Sequence, residues 1–91
     1  MLGSKLKELR ASKGLVQRQI AAELEVDTAF ISKVENDEKH LSKSHLKKVA
    51  KIYKVEEKDL MVLWLADKIL NAIEDEDEKQ QALELALENI K

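Results

Sequence analysis

An all-α fold is predicted by three features of this sequence. Its 91 residues contain no proline and only two glycines, which leaves little material for tight hairpin turns. Only three residues are aromatic, whereas Ala, Leu, Glu, Lys and Gln, which favour helices over strands, dominate the composition. Apolar residues recur three and four positions apart, as on one face of a helix. With 44% apolar residues, the chain is expected to bury one modest core.

The first half of the chain predicts three helices in succession. The first covers about residues 2–13, and Gly14 is placed to adopt the left-handed conformation that ends it. Two short helices follow at about residues 17–24 and 28–36. Asp27 is a natural N-cap for the second of these, because its carboxylate can accept a hydrogen bond from a free amide of the first turn.

About three more helices are expected in the second half. Ser42 or Ser44 can cap the fourth. The fifth is apolar on nearly every side over residues 60–66, so it must bury more than one face. A sixth could begin at Asp77, with Gln80 completing a capping box. Its apolar stripe, which either folds back on its own chain or pairs with another copy, consists of Leu83, Ala86, Leu87 and Ile90.

Several classes of protein are excluded by composition. The longest apolar run, residues 60–66, is far shorter than the roughly 20 residues of a membrane span, so we expect a cytoplasmic protein with no membrane partner. The sequence has no evident nucleophile-base pair, glycine-rich phosphate loop or paired-carboxylate pocket, so we expect no enzyme and no cofactor. His40 and His45, without a suitable set of carboxylates, make a poor metal site, and none is predicted.

Charge is distributed unevenly along the sequence. Residues 1–54 carry 12 Lys and Arg against 7 Asp and Glu, or +5, whereas residues 55–91 carry 4 against 11, or −7. A basic first part favours a polyanionic partner for that part. The alternative interpretation is that both charge sets simply solvate exposed helix faces.

The stretch "QRQIAAELEVDTAFISKVEN", residues 17–36, contains both short helices. Helices of eight or nine residues are unstable alone in water, because nucleation costs more than so few hydrogen bonds return. Packing must therefore hold them, and the small Ala21 suits the point where two helices cross closely. The apolar positions available for this packing are Ile20, Ala21, Leu24, Val26, Ile31 and Val34.

These residues resemble the helix-turn-helix regulators of the Cro and lambda-repressor type over about residues 6–60. Gln17 lies where the family often has Gln at the start of its second helix, and Ala21 lies where the family has a small residue at the helix crossing. The stretch "FISKVEN" is similar to the end of the family's recognition helix. Arg10 and Glu35 match a charged pair that in such proteins ties the first helix to the third, although its role is expected to be structural. The resemblance implies a compact five-helix fold with extended C-terminal helices, about six helices in all. Residues 1–57 would form the helix-turn-helix DNA-binding domain, and residues 58–91 would form C-terminal helices that pack on the core and provide the dimer interface.

Two positions depart from the family pattern. Glu25 and Asp37 replace glycines that are common in the turn and after the third helix. A non-glycine residue in the left-handed conformation costs roughly 1 to 2 kcal/mol. We therefore expect local backbone strain at both positions, and less at Asp37 because Asp tolerates this conformation better than most residues.

The resemblance also implies the residues that contact DNA. With the third helix in the major groove, base edges would be contacted by Thr28, Ala29, Ser32 and Lys33. Phosphates would be bound by Gln17, Arg18, Asn36, Lys39 and Lys43. For Phe30, partial packing in the core and exposure toward DNA are both open.

Such domains usually bind palindromic sites as dimers, so the implied partners are double-stranded DNA and a second copy of the chain. The expected dimer residues are Leu60, Trp64, Leu83, Leu87 and Ile90. With no ligand-sensing domain and no small-molecule ligand expected, the regulator would control its own expression. The stretch "LWLADKI" resembles restriction-modification controller proteins, and the acidic edge of Glu23, Glu25 and Asp27 would contact RNA polymerase if the protein activates transcription.

Two alternatives remain at the level of sequence. One is an antitoxin-like interaction module of the same fold, whose C-terminal helices bind a partner protein. The other is that residues 17–36 are merely two packed helices of a bundle that does not bind DNA.

Overall fold

The computed structural model describes residues 1–90, which form six α-helices and no strand. The all-α prediction is thus confirmed. The helices are α1 (Leu2–Ser12), α2 (Gln17–Leu24), α3 (Thr28–Glu35), α4 (Lys43–Tyr53), α5 (Glu57–Ile73) and α6 (Lys79–Glu88). No helix within residues 1–90 combines the length and the apolar character needed to cross a membrane.

Left-handed residues lie after four of the helices. Gly14 ends the turn after α1 with φ +66°, as its position in the sequence predicts. Glu25 after α2 and Asp37 after α3 have φ +58° and +61°, so both non-glycine residues hold the strained conformation. Lys54 after α4 has φ +55°, and no local feature of the sequence predicts this conformation.

Side-chain caps begin α3 and α4. The Asp27 carboxylate accepts a hydrogen bond from the Phe30 amide at 2.7 Å. Of the two serines proposed for α4, Ser42 is the cap, because its Oγ accepts from the His45 amide at 3.2 Å. Ser44 instead lies with its hydroxyl 3.0 Å from that of Ser42.

The predicted cap of α6 is wrong. The N-cap residue is Glu78, not Asp77, and no side chain makes a capping hydrogen bond there. The Glu78 carbonyl accepts from the Ala82 amide at 3.0 Å and so starts the helix one residue later than predicted. A capping box would need its partner three residues after Glu78, and Gln80 is only two residues after it. The Gln80 side chain donates instead to Glu84 at 3.4 Å.

One hydrophobic core is formed by α1 to α4 and the first half of α5. Its most enclosed large side chains are Tyr53, Leu46, Leu60 and Val49. Leu60 is only 1% exposed, and Trp64 is buried with its indole N–H donating to the Leu41 carbonyl at 2.6 Å. This corrects the expectation that Leu60 and Trp64 form the dimer surface, because both are enclosed by their own chain. The boundary proposed between residues 57 and 58 stays a prediction.

The start of α1 is fixed against α3 and α5. The Leu2 amide donates to Asp67 at 2.9 Å, and the Gly3 amide donates to Asp37 at 3.1 Å. A Cβ on Gly3 would come within 2.5 Å of the Val34 carbonyl oxygen, so only glycine allows α1 to approach the last turn of α3 this closely.

Candidate nucleic-acid interface

The helix α3 divides into a buried face and an exposed polar face. Ile31 and Val34 lie in the core, and Glu35 is also buried. Thr28, Ala29 and Lys33 are exposed. At about 100° per residue, the four residues predicted to contact bases lie within an arc of about 140° opposite the core side. The half-buried member of this set is Ser32.

Phe30 lies at the edge between these two faces. Its ring is half-buried and packs against the core. It also meets the His45 ring edge-on, with ring centroids 6.1 Å apart and an interplanar angle of 61°. Of the two roles left open for Phe30, the structure therefore supports partial packing in the core.

Arg10 on α1 and Glu35 on α3 form a two-pronged ion pair. The Arg10 Nε donates to Glu35 Oε2 at 2.8 Å and its Nη2 donates to Glu35 Oε1 at 3.1 Å. The remaining guanidinium nitrogen, Nη1, donates to the Leu15 carbonyl at 2.9 Å. Hydrogen bonding to Glu35, opposed by burial, raises the pKa of Arg10, so this group is permanently charged. The pair fixes the end of α3 to α1.

Gln17 connects α2 to the same carboxylate. Its Nε2 donates to Glu35 Oε1 at 3.0 Å, and the side chain is half-buried. The structure therefore gives Gln17 a role in holding α2 against α3, in addition to the phosphate contact predicted for the start of its helix. The Gln19 side chain completes this start by accepting from the Val16 amide at 2.8 Å.

The other predicted phosphate contacts are exposed side chains around α3. Asn36 ends α3, Lys39 lies in the loop that follows, and Lys43 opens α4. Arg18 lies in the first turn of α2. Within residues 1–90, none of these three cations forms an ion pair with a carboxylate. All three are thus available to a polyanion.

The expected acidic edge is only partly free. Glu23 and Glu25 are exposed, whereas the Asp27 carboxylate is used to cap α3. All three side chains are nevertheless exposed, and a contact with RNA polymerase stays a prediction.

Two features near the interface were missed at the level of sequence. Lys68 lies over the Trp64 ring, 4.4 Å from its centroid, and Lys43 lies 5.9 Å from the same centroid. The spacing of Trp64 and Lys68, four residues apart on one helix, could have indicated the first contact. Nothing in the sequence indicates that Asp37 and Asp67 bind the amides that open α1, because these contacts join distant parts of the chain.

Comparison with known proteins agrees with this geometry. A family model described as helix-turn-helix matches residues 6–60, which is more than half of the chain. Searches of the curated proteins and of the solved structures found no match. The matched region contains the ion pair, both short helices and the exposed face of α3. The chain therefore belongs to the Cro/lambda-repressor type of helix-turn-helix family, whose members are DNA-binding transcription regulators.

Proposed function

We propose that this transcription regulator binds a palindromic operator as a homodimer, with α3 of each copy in the major groove, and that it regulates its own expression. The observation that carries the proposal is the division of α3 into two faces. One face is fixed to α1 and α2 through Glu35, and the other presents Thr28, Ala29 and Lys33 to solvent, with Ser32 half-buried between them.

The exposed face has groups that match base edges. The Lys33 ammonium can donate to the O6 and N7 acceptors of guanine. The methyl groups of Thr28 and Ala29 suit the thymine methyl, and the Ser32 hydroxyl can donate or accept. Because only one long donor is present, each α3 would distinguish few base pairs. This favours binding by two copies on adjacent half-sites, about 34 Å apart.

Phosphate contacts would position α3 in the groove. The exposed cations Arg18, Lys39 and Lys43 surround it on three different elements, and Asn36 adds an uncharged donor at its end. These groups would make ionic contacts or hydrogen bonds to the phosphate backbone of the duplex. Such contacts position the protein but contribute little to sequence specificity.

Selection of binding sites from random duplexes, at two salt concentrations, tests the proposal. Three cations in each of two copies give about six phosphate contacts, so the log-log slope of affinity against salt should be near −5. The selected sequences should be palindromic. The same palindrome should occur upstream of the protein's own reading frame if the protein regulates itself. Selection without a palindrome would contradict binding as a symmetric dimer.

Two lysine variants separate base contact from phosphate contact. Lys33→Ala should change which bases are preferred at one position of each half-site, because it removes a base-edge donor. Lys43→Ala should weaken all duplexes alike and make the salt slope less steep by about one for each copy. The measurement is binding-site selection with both variants beside the wild type. An unchanged base preference in Lys33→Ala would contradict the role assigned to α3.

A further inference from the structure

Helix α5 has a second apolar face that its own chain leaves uncovered. Val62, Leu65 and Ile69 are 66%, 46% and 50% exposed. They recur at spacings of three and four residues, so they form one stripe on the helix. Leu60 and Trp64, which enter the core, lie on the opposite side of α5. The stripe therefore points away from the core that holds α3.

Helix α6 has an uncovered apolar stripe as well. None of its residues is buried. Leu87 and Ile90 are 71% and 72% exposed, and Leu83, on the same side, is 36% exposed. A helix of ten residues is marginal in water without packing against an apolar partner. Within one copy, the first half of α6 faces the C-terminal end of α5 across an open cleft lined by Leu70, Ile73 and Leu83.

The exposed area of the chain exceeds that of a compact monomer. The chain exposes 6536 Å², whereas a compact monomer of 10.4 kDa exposes about 5,400 Å². Its radius of gyration is 14.8 Å, against about 12 Å for a compact domain of this length. The excess area, roughly 1,100 Å², is larger than the ~800 Å² that each partner buries in an interface of standard size.

We propose that the stripe Val62, Leu65 and Ile69 of α5, together with the stripe Leu83, Leu87 and Ile90 of α6, binds the same two stripes of a second copy. The four helices, two from each copy, then form a two-fold symmetric bundle. This inference rests on the proposed homodimer and assigns its surface, which the residues Leu60 and Trp64 cannot provide.

Three observations favour a second copy as the occupant. The excess area is large enough to supply one side of an interface of standard size. The stripe residues of α5 are spaced three and four positions apart, which is the spacing of apolar residues in helices that pack side by side along their length. The six stripe residues are apolar, and the nearest charged residues on the same faces, Lys58 and Lys79, lie one helical turn before them. A two-fold axis through the centres of the stripes would therefore bring no like charges directly together. The acidic run 74–78 lies between the helices and outside both stripes.

The test compares the solution mass of the full chain and three variants at tens of micromolar, by size exclusion with light scattering. Leu65→Glu and Leu87→Glu place a charge in the two stripes, and each should reduce the mass from that of a dimer to about half. Leu85→Glu is the matched control: Leu85 is 62% exposed on the opposite side of α6, so this variant should keep the dimer mass. Circular dichroism should show that all three variants remain helical.

Three results would overturn the inference. They are a dimer mass for Leu65→Glu and Leu87→Glu, a monomer mass for Leu85→Glu with helices intact, or a monomer mass for the wild type. A monomeric wild type would mean that the stripes are covered by a different protein or by α6 folding back on its own chain.

Failure of this inference can be told apart from failure of the proposed function. The monomeric Leu65→Glu variant should still bind a duplex that carries one half-site, with unchanged base preference and lower affinity. If the wild type selects a palindrome and both stripe variants keep the mass of a dimer, the assigned surface alone is refuted. A wild type that dimerises as described but selects no palindrome would refute the proposed function alone.

Discussion

The Glu35 carboxylate joins three helices at one buried point. Its side chain is 3% exposed, it receives two hydrogen bonds from Arg10 on α1, and it receives a third from Gln17 on α2. A buried charge is costly unless it is paired and fully hydrogen-bonded. Because these partners lie on different helices, the hydrogen bonds that stabilise the Glu35 carboxylate also fix the position of α3 relative to α1 and α2.

Removing Arg10 should therefore destabilise the fold strongly. In Arg10→Met the apolar stem is kept, but Glu35 loses its counter-ion, and we expect a loss of about 3 to 5 kcal/mol in the free energy of unfolding. Urea denaturation followed by circular dichroism measures this loss. Lys5→Met is the control, since Lys5 and Glu8 form an exposed pair at 3.9 Å that should contribute less than about 0.5 kcal/mol. Equal losses in the two variants would contradict the importance given to burial.

Helix α2, like α4, ends with a non-glycine residue in the left-handed conformation. Glu25 stands at its C-terminus with φ +58° and ψ +43°, and its amide donates to carbonyls of the last turn. The conformation is the one that glycine adopts without cost. The chain thus makes the tight turn between α2 and α3 with a residue that disfavours it.

Replacing this residue by glycine should stabilise the protein. In Glu25→Gly the relief of roughly 1 to 2 kcal/mol is partly offset by the greater freedom of glycine in the unfolded chain, about 0.4 to 1 kcal/mol. The expected net gain is about 0.5 to 1 kcal/mol, measured as a shift in the midpoint of urea unfolding. Ala22→Gly, inside the same helix, should instead lose about 1 kcal/mol. A loss in both variants would show that the Glu25 side chain makes a favourable contribution that outweighs the strain.

The helices and their ends could largely be predicted from sequence, because the signals are local. Asp27 lies just before α3 and caps it, and the left-handed Glu25 occupies the position of the family's turn glycine. The errors concern contacts between distant parts of the chain. Periodicity showed that α5 has two apolar faces, but it could not show that Leu60 and Trp64 belong to the inner one. The start of α6 was predicted one residue too early because the prediction assumed a side-chain cap at Asp77, whereas no side chain caps this helix.

The whole domain closes around Tyr53, which is among its most enclosed side chains. Burial, with a contribution from the charge of Glu35, raises the pKa of Tyr53 to about 12. The unfolded chain would titrate near the ordinary value of about 10. The neutral phenol is therefore the form that the folded molecule requires.

Alkaline pH should destabilise the domain in a defined window. Below about pH 10 Tyr53 is protonated in both states, so its contribution to the free energy of unfolding does not change with pH. Between about pH 10 and 12 the unfolded chain loses this proton and the folded chain keeps it, so the free energy of unfolding falls by about 2 kcal/mol. Urea unfolding measured at intervals from pH 8 to 12 should show the decrease, and Tyr53→Phe should lack this part of it. An equal decrease in Tyr53→Phe would assign the effect to other groups.

The Trp64 indole has a consequence for the spacing of DNA sites. Its hydrogen bond to the Leu41 carbonyl ties the loop that follows α3 to α5, while Lys43 lies over its ring. In the proposed dimer, α5 also carries the contact between copies, so this link makes the two α3 helices one rigid unit. Insertion of a single base pair between half-sites rotates one of them by about 35° around the duplex axis. Because no flexible linker joins α3 to the dimer contact on α5, the second α3 cannot follow that rotation. The operators of this protein should therefore tolerate only one spacing between half-sites.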